Sequence, residues 1–305
     1  MARPEFGVIL GSKAPSSIIR EAAKICDDAG VDSFWIPETT EYGGFSVLGY
    51  LASNTKRIKL GSGIVNVYTR QPKTIRMEAK SLLELSKGRF VLGIGSSAPP
   101  LIEYWHGIKF ERPLQTMIQA TKTLREGYDG QIYWAAVNKI MTQNAGRIAD
   151  GVIFFLKPLG VVKQYIEYFK GEVSNANTNI VSFIPTYIFD DRRRAEGMAR
   201  ITIAAYVGGS PFYGKPIVEA GFGESVRKIL DAWAAKDKDL ARKSVPDALV
   251  RSIAASGTVD DCIDALKDHL SAGITHVVAA FDLRKDFYSS ELLRNLRKFV
   301  SKLVI

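Results

Sequence analysis

Two cysteines and three histidines among 305 residues leave little room for several kinds of chemistry. Cys26 and Cys262 lie far apart, each within a helical pattern, so a disulfide framework or a paired CxxC metal site is not expected. HExxH is absent, which removes the common zinc-hydrolase arrangement. There is no Walker A sequence and no GxSxG nucleophile elbow. No window holds roughly 20 apolar residues free of charge, so no membrane span is expected. The first residues, Met1-Ala2-Arg3-Pro4-Glu5, run into a strand without the apolar core of a signal peptide, and a cytoplasmic location is the expectation.

What is present is an ordinary globular composition, 46% hydrophobic and 24% charged. The formal net charge is +9, and such chains often meet nucleic acid, acidic lipid or anionic cofactors. Here Lys and Arg are dispersed over many helices. The densest run, Arg192-Arg193-Arg194, follows Asp190-Asp191 and opens a helix, which a solvated helix face explains. No helix-turn-helix or aromatic RNP strand appears, so a nucleic-acid partner is not expected.

Strand and helix patterns alternate along the chain. Eight strands are expected, near residues 6–10, 33–36, 58–65, 90–95, 131–136, 152–155, 180–189 and 276–281. A helix ends in Ala-Gly or Asp-Gly and a strand follows at Ala29-Gly30, Asp150-Gly151 and Ala272-Gly273, a weak β-α repeat. Eight strands with intervening helices predict an α/β fold, a (β/α)8 TIM barrel, with a doubly wound open sheet as the alternative. The chain reads as one domain, residues 1–305, with a mostly helical insertion at about 192–255 between strands seven and eight. That insertion holds a turn rich in Gly and aromatics, Tyr206 to Gly214, and is a candidate wall for a site because barrel sites sit where strands end.

Most of the information lies in residues 56–98, a strand-helix-strand unit with glycines clustered where each strand ends. Two glycines in one strand, Gly61 and Gly63, suggest a bulge or a close approach of backbone to a ligand. Gly93-Ile94-Gly95-Ser96-Ser97-Ala98 nearly fits a dinucleotide fingerprint, but Pro99-Pro100 interrupts the helix that should follow. A barrel strand ending beside a cofactor explains it better, with Ser96 and Ser97 offering hydroxyl and N–H groups to an anion. Glu38 ends the second strand, where a carboxylate suits an acid, base or ring contact.

Four stretches, IKLGSGIVNVYTRQP, LSKGRFVLGIGSS, AGRIADGV and SGTVDDCIDALKDHLSAGITHVV, resemble the luciferase-like family of flavin- and coenzyme F420-dependent oxidoreductases, and within it the archaeal methylenetetrahydromethanopterin reductases. The resemblance implies hydride transfer between a deazaflavin, coenzyme F420, and a small organic or pterin-like substrate, in a homodimer or higher homo-oligomer. It implies a non-prolyl cis peptide at Gly63-Ile64 behind the ring. It assigns cofactor contacts to Glu38, Thr39, Gly63, Ile64, Val65, Asn66, Gly95, Ser96, Ser97, Ala136, Val137 and Asn138, and catalysis to Glu38, with no metal. Arg70 is a candidate for an anionic cofactor tail.

The departures from the family pattern are informative. Thr39 stands where relatives carry a His, Ile9 where the reductases carry a Glu in strand one, and Ala98 where an acidic residue follows the turn. The hairpin before strand five is missing, and Asn138-Lys139-Ile140 replaces a Gly-Pro-Lys. Two alternatives stand beside the F420 reading: an FMN-dependent luciferase-like monooxygenase, from which the missing His does not separate it, and a non-catalytic homologue that has lost its acid/base residues, which these departures support.

Overall fold

The computed structural model describes residues 3–11, 14–173, 179–281 and 290–303. Its strands are β1 (Glu5–Leu10), β2 (Ser33–Ile36), β3 (Lys59–Ser62), β4 (Val65–Asn66), β5 (Phe90–Gly95), β6 (Ile132–Ala135), β7 (Gly151–Phe155), β8 (Asn179–Ile188), β9 (Ala255–Gly257) and β10 (His276–Phe281). Every pairing is parallel, and β10 lies between β1 and β8, so the sheet closes. Helices fill the crossovers, as parallel pairing requires. The expected TIM barrel is the fold.

The third stave of the barrel is broken. Leu60 faces Phe90, but Val65 faces Ile94, so one extra residue enters between β3 and β4. This is the bulge that the paired glycines suggested, and it splits the single strand expected over 58–65. The eight staves are then β1, β2, β3 with β4, β5, β6, β7, β8 and β10. β9 stands outside the barrel beside the upper end of β8, where Thr186 faces Ala255.

Alternate side chains sort onto the two faces of each stave. Val8, Leu10, Phe34 and Ile36 join the layer between sheet and helices. Ile9, Trp35, Val91, Tyr133, Phe183 and Val278 fill the barrel interior. Gly61 makes room for the largest of these: a Cβ there would lie 2.2 Å from the Trp35 ring. Cys26 and Cys262 are buried and free, as the sequence suggested.

The floor of the barrel, at the strand N-termini, is polar. Ser33 Oγ lies 2.8 Å from His276 Nε2 and accepts from Trp35 Nε1 at 2.7 Å. Glu5 lies 3.4 Å from His276 Nδ1 and binds Lys59 Nζ at 2.8 Å. Burial, and secondarily the charge of Lys59, push the His276 imidazole down to about 3, with Asp32 opposing.

Between β8 and β9 the chain runs through five α-helices, Arg192–Gly209, Pro211–Ile217, Gly223–Ala234, Lys238–Lys243 and Asp247–Ile253, with a π-helical turn at Val218–Phe222; a further helix, Val259–Ser271, leads from β9 to β10. The insertion is helical as expected but ends in the strand β9, which sequence alone did not suggest. It builds its own apolar cluster, including Ala199, Ile203, Val207, Ile229 and Leu249. The first of these helices is capped by Asp191, whose carboxylate accepts from the N–H groups of Arg193 and Arg194. Tyr206 to Gly209, expected as a turn, completes that helix, because Gly208 lets Trp233 pack where a Cβ would come within 2.3 Å.

Candidate functional site

Three adjacent staves end together at the C-terminal mouth. Asn66 faces Gly95 across the β4–β5 pair, and Ile94 faces Trp134 across β5–β6. Gly63 to Asn66, Gly95 to Ser97 and Ala136 to Asn138 therefore form one continuous rim. Beneath it, Ile64, Phe155 and Ala280 sit half-buried on top of the barrel interior and make an apolar floor.

The Gly63–Ile64 peptide is cis, at the position the family resemblance implied. The Gly63 N–H donates to Ile36 O at 2.9 Å, and the Glu38 N–H donates to Ile64 O at 3.4 Å, so the loop after β2 lies against the third stave. Val65 and Asn66 are buried. Asn66 Oδ1 accepts from the N–H groups of Tyr68 and Thr69, at 3.2 and 3.0 Å, which folds the next loop back on itself. Thr69 Oγ1 is buried in that loop and has no hydrogen-bond partner.

Ser96 and Ser97 are half-buried, and Ser97 has a left-handed φ of 60°, which turns the chain sharply out of β5. Pro99-Pro100 does not abolish helix here: a short π-helical turn, Pro100–Trp105, follows, with Tyr104 and Trp105 exposed. His106 is exposed beyond it. Ala136 is buried, and its N–H donates to Ile153 O at 3.0 Å. Asn138 caps the helix Lys139–Ile148, accepting from Met141 N–H at 3.0 Å. Its side chain is thus committed to the fold.

Glu38 is engaged twice. One carboxylate oxygen pairs with Arg70, and the other accepts from Gly44 N–H at 3.0 Å. Thr39 beside it is exposed. Arg70 also lies 3.3 Å from Glu78 and 5.5 Å from the Phe45 ring centroid. Arg70 is therefore occupied by two carboxylates and is not free for an anionic tail. Burial and, less strongly, the Glu38 charge raise the Glu78 carboxyl, with Arg70 opposing them.

Aromatic rings tie the insertion to the mouth. Phe155, at the end of β7, lies 4.9 Å from Tyr206 and 6.2 Å from Tyr213, centroid to centroid. Phe212 lies 6.2 Å from Phe110, which in turn lies 5.2 Å from Tyr68. The insertion stands against the mouth through these contacts, which sequence reasoning had left open.

Lys157 escaped the sequence reading. It follows β7, is only 2% exposed, donates to the Val137 carbonyl, and lies 3.4 Å from the Tyr165 ring centroid. Burial drives its amine well below the ordinary lysine value, with Glu219 opposing. The only available signal was a lysine directly after the apolar run Val152 to Leu156, at the site end of a stave. Among the described residues no group of His, Cys, Asp and Glu is placed to hold a metal, and no helix is long and apolar enough to cross a membrane.

This architecture has known counterparts. A 5,10-methylenetetrahydromethanopterin reductase of Archaeoglobus fulgidus is 32% identical, over 86% of this chain and 89% of the relative. The coenzyme F420-dependent tetrahydromethanopterin reductase of Methanopyrus kandleri superimposes with a TM-score of 0.82 at 22% identity, over 99% of each chain. An F420-dependent secondary alcohol dehydrogenase in complex with an F420-acetone adduct gives a TM-score of 0.77 at 14% identity, over 99% of this chain and 98% of that one. The family profile described as luciferase-like monooxygenase matches residues 1–130 and 120–276. With nearly the whole chain matched, and a barrel whose third stave is interrupted at Gly63–Ile64, this protein belongs to the luciferase-like monooxygenase family.

Proposed function

We propose that this chain is an F420-dependent oxidoreductase acting on a small organic or pterin-like substrate at the C-terminal mouth. The observation that carries the reading is the continuous rim of Gly63–Asn66, Gly95–Ser97 and Ala136–Asn138 around a half-open apolar floor. An apolar floor of Ile64, Phe155 and Ala280 suits one face of a planar ring. Ser96 and Ser97 suit its polar edge or an anionic tail.

Bound there, coenzyme F420 would supply two-electron hydride chemistry. This chain's residues would position and shield. The backbone from Gly63 to Asn66 supports the ring from behind. Ala136 to Asn138, stiffened by the Asn138 cap, borders it. Phe155, Tyr206 and Tyr213 exclude water on the insertion side. Glu38 contacts the ring or assists proton transfer, and it does so from an ion pair that Arg70 must loosen for a proton to move.

The chain acts as one barrel domain with the insertion as part of it, in a cytoplasmic homodimer or higher oligomer. Titration with F420, followed by deazaflavin fluorescence, tests the cofactor. Saturable binding is expected. Binding of FMN alone would favour the monooxygenase alternative, and no shift in melting temperature with either at saturation would favour the non-catalytic homologue.

A further inference from the structure

A buried amine with few partners is costly, so its retention needs an account. Lys157 leaves β7 at the mouth end, and its Nζ hydrogen-bonds one group, the carbonyl of Val137. Otherwise it lies over aromatic faces: Tyr165 at 3.4 Å and Phe154 at 5.3 Å. Tyr165 is itself fully buried in the helix Leu159–Lys170, and its hydroxyl donates to Glu219 Oε2 at 2.9 Å. Glu219 belongs to the π-helical turn of the insertion. Next to this chain, Lys139 lies 4.6 Å from the Tyr168 ring, and the Tyr165 and Tyr168 rings meet edge-on at 5.5 Å.

We propose that Lys157 is a positioning residue: through the Val137 carbonyl and its seat on the Tyr165 ring, it locks the loop after β6 to the helical insertion, which reaches the same ring through Glu219.

Val137 lies between Ala136, tied to β7 through Ile153 O, and Asn138, which caps the next helix. The carbonyl that Lys157 holds thus sits midway in a short stretch of this rim, between β6 and the helix Lys139–Ile148, that belongs to no strand or helix. The insertion supplies Tyr206 and Tyr213 against Phe155 on the same side of the mouth. One buried side chain therefore sets both the loop and the wall, and any ligand seated between them meets a preorganised pair. This inference rests on the cofactor reading for its ligand, but not for its mechanics.

The mechanics predict a dissociation between stability and binding. Replacing a buried ammonium by an apolar side chain of similar length is often neutral or stabilising. Lys157→Met should therefore hold or raise the melting temperature while weakening F420 binding about tenfold, a cost near 1.4 kcal/mol. The amides of Ala136 and Met141, hydrogen-bonded on either side of Val137, should exchange with deuterium about tenfold faster in that variant. Tyr165→Phe keeps the ring under the ammonium but releases Glu219, so it should loosen the insertion amides near Glu219 and weaken F420 binding less than Lys157→Met does.

If the parent protein binds no F420, the cofactor reading fails and the exchange data alone decide the coupling. Unchanged exchange at Ala136 and Met141 in Lys157→Met would overturn the proposal. So would an F420 affinity within twofold of the parent in both variants.

Discussion

Arg70 and Glu38 face each other across the loops after β4 and β2, paired by guanidinium and carboxylate, while Gly44 N–H holds the second Glu38 oxygen at 3.0 Å. The carboxylate that sequence reasoning singled out is therefore a fixed group. If it handles a proton, replacing it by an amide of the same shape should lower kcat by about 10²–10⁴. Glu38→Gln is expected to do this with F420 affinity changed only a few-fold. Steady-state kinetics beside a fluorescence titration check it, and undiminished turnover would retire the catalytic role.

Acid should destabilise the fold through two buried imidazoles. Burial pushes His269 down to about 4, and burial with the Lys59 charge pushes His276 down to about 3, from a usual 6.5. Both folded values lie below the unfolded one, so the unfolded chain takes up protons first as pH falls. Their contribution is intact above 6.5 and is lost on acidification toward 4 and 3 respectively. Each site changes stability by about 1.4 kcal/mol per pH unit within its window. Urea unfolding between pH 7.5 and 5 should show the loss, and His269→Leu should lose less than the parent. Parallel profiles for the two proteins would contradict the assignment.

Ser33 satisfies two buried ring nitrogens at the closed end of the barrel, those of Trp35 and His276. Ser33→Ala strands both, at about 1–3 kcal/mol for each unsatisfied group. The urea midpoint should fall while F420 affinity stays constant, because the change lies at the opposite end from the mouth. An unshifted midpoint would show that the hydroxyl is dispensable.

Two glycines should respond oppositely to alanine. A Cβ on Gly93 would lie 2.0 Å from the Ser62 carbonyl oxygen, a backbone atom inside the barrel wall. Gly93→Ala should cost about 1–3 kcal/mol or prevent folding. Gly160, in the first turn of the helix Leu159–Lys170, has nothing within 4 Å of a Cβ position. Gly160→Ala should add about 0.4–1 kcal/mol by restricting the unfolded chain. Thermal unfolding of the two variants decides both.

The sequence by itself determined the barrel. Alternation of apolar runs with amphipathic segments is a local pattern, and a parallel apolar strand followed by a helix has few ways to close. The eight staves, the buried cysteines, the helical insertion and the disturbance at Gly61 and Gly63 were all legible for that reason. β9 was not, because three residues carry no periodicity and only the upper end of β8 makes them a strand. Likewise, the expected turn at Tyr206 to Gly209 proved to be helix, because Trp233 packs against it from far along the chain.

The site divides in the same way. Gly63 to Asn66 and Gly95 to Ser97 were legible because glycines at strand ends mark close approach. Their union with Ala136 to Asn138 into one rim follows from stave register, which no local pattern encodes. Tertiary structure alone decided that Glu38 is paired with Arg70, and that Arg70 is shared with Glu78. It alone placed Lys157 on Tyr165, a contact defined by burial and by a carbonyl 20 residues away in sequence. Charge pairing and desolvation depend on distances through space, and those exist only once the barrel has closed.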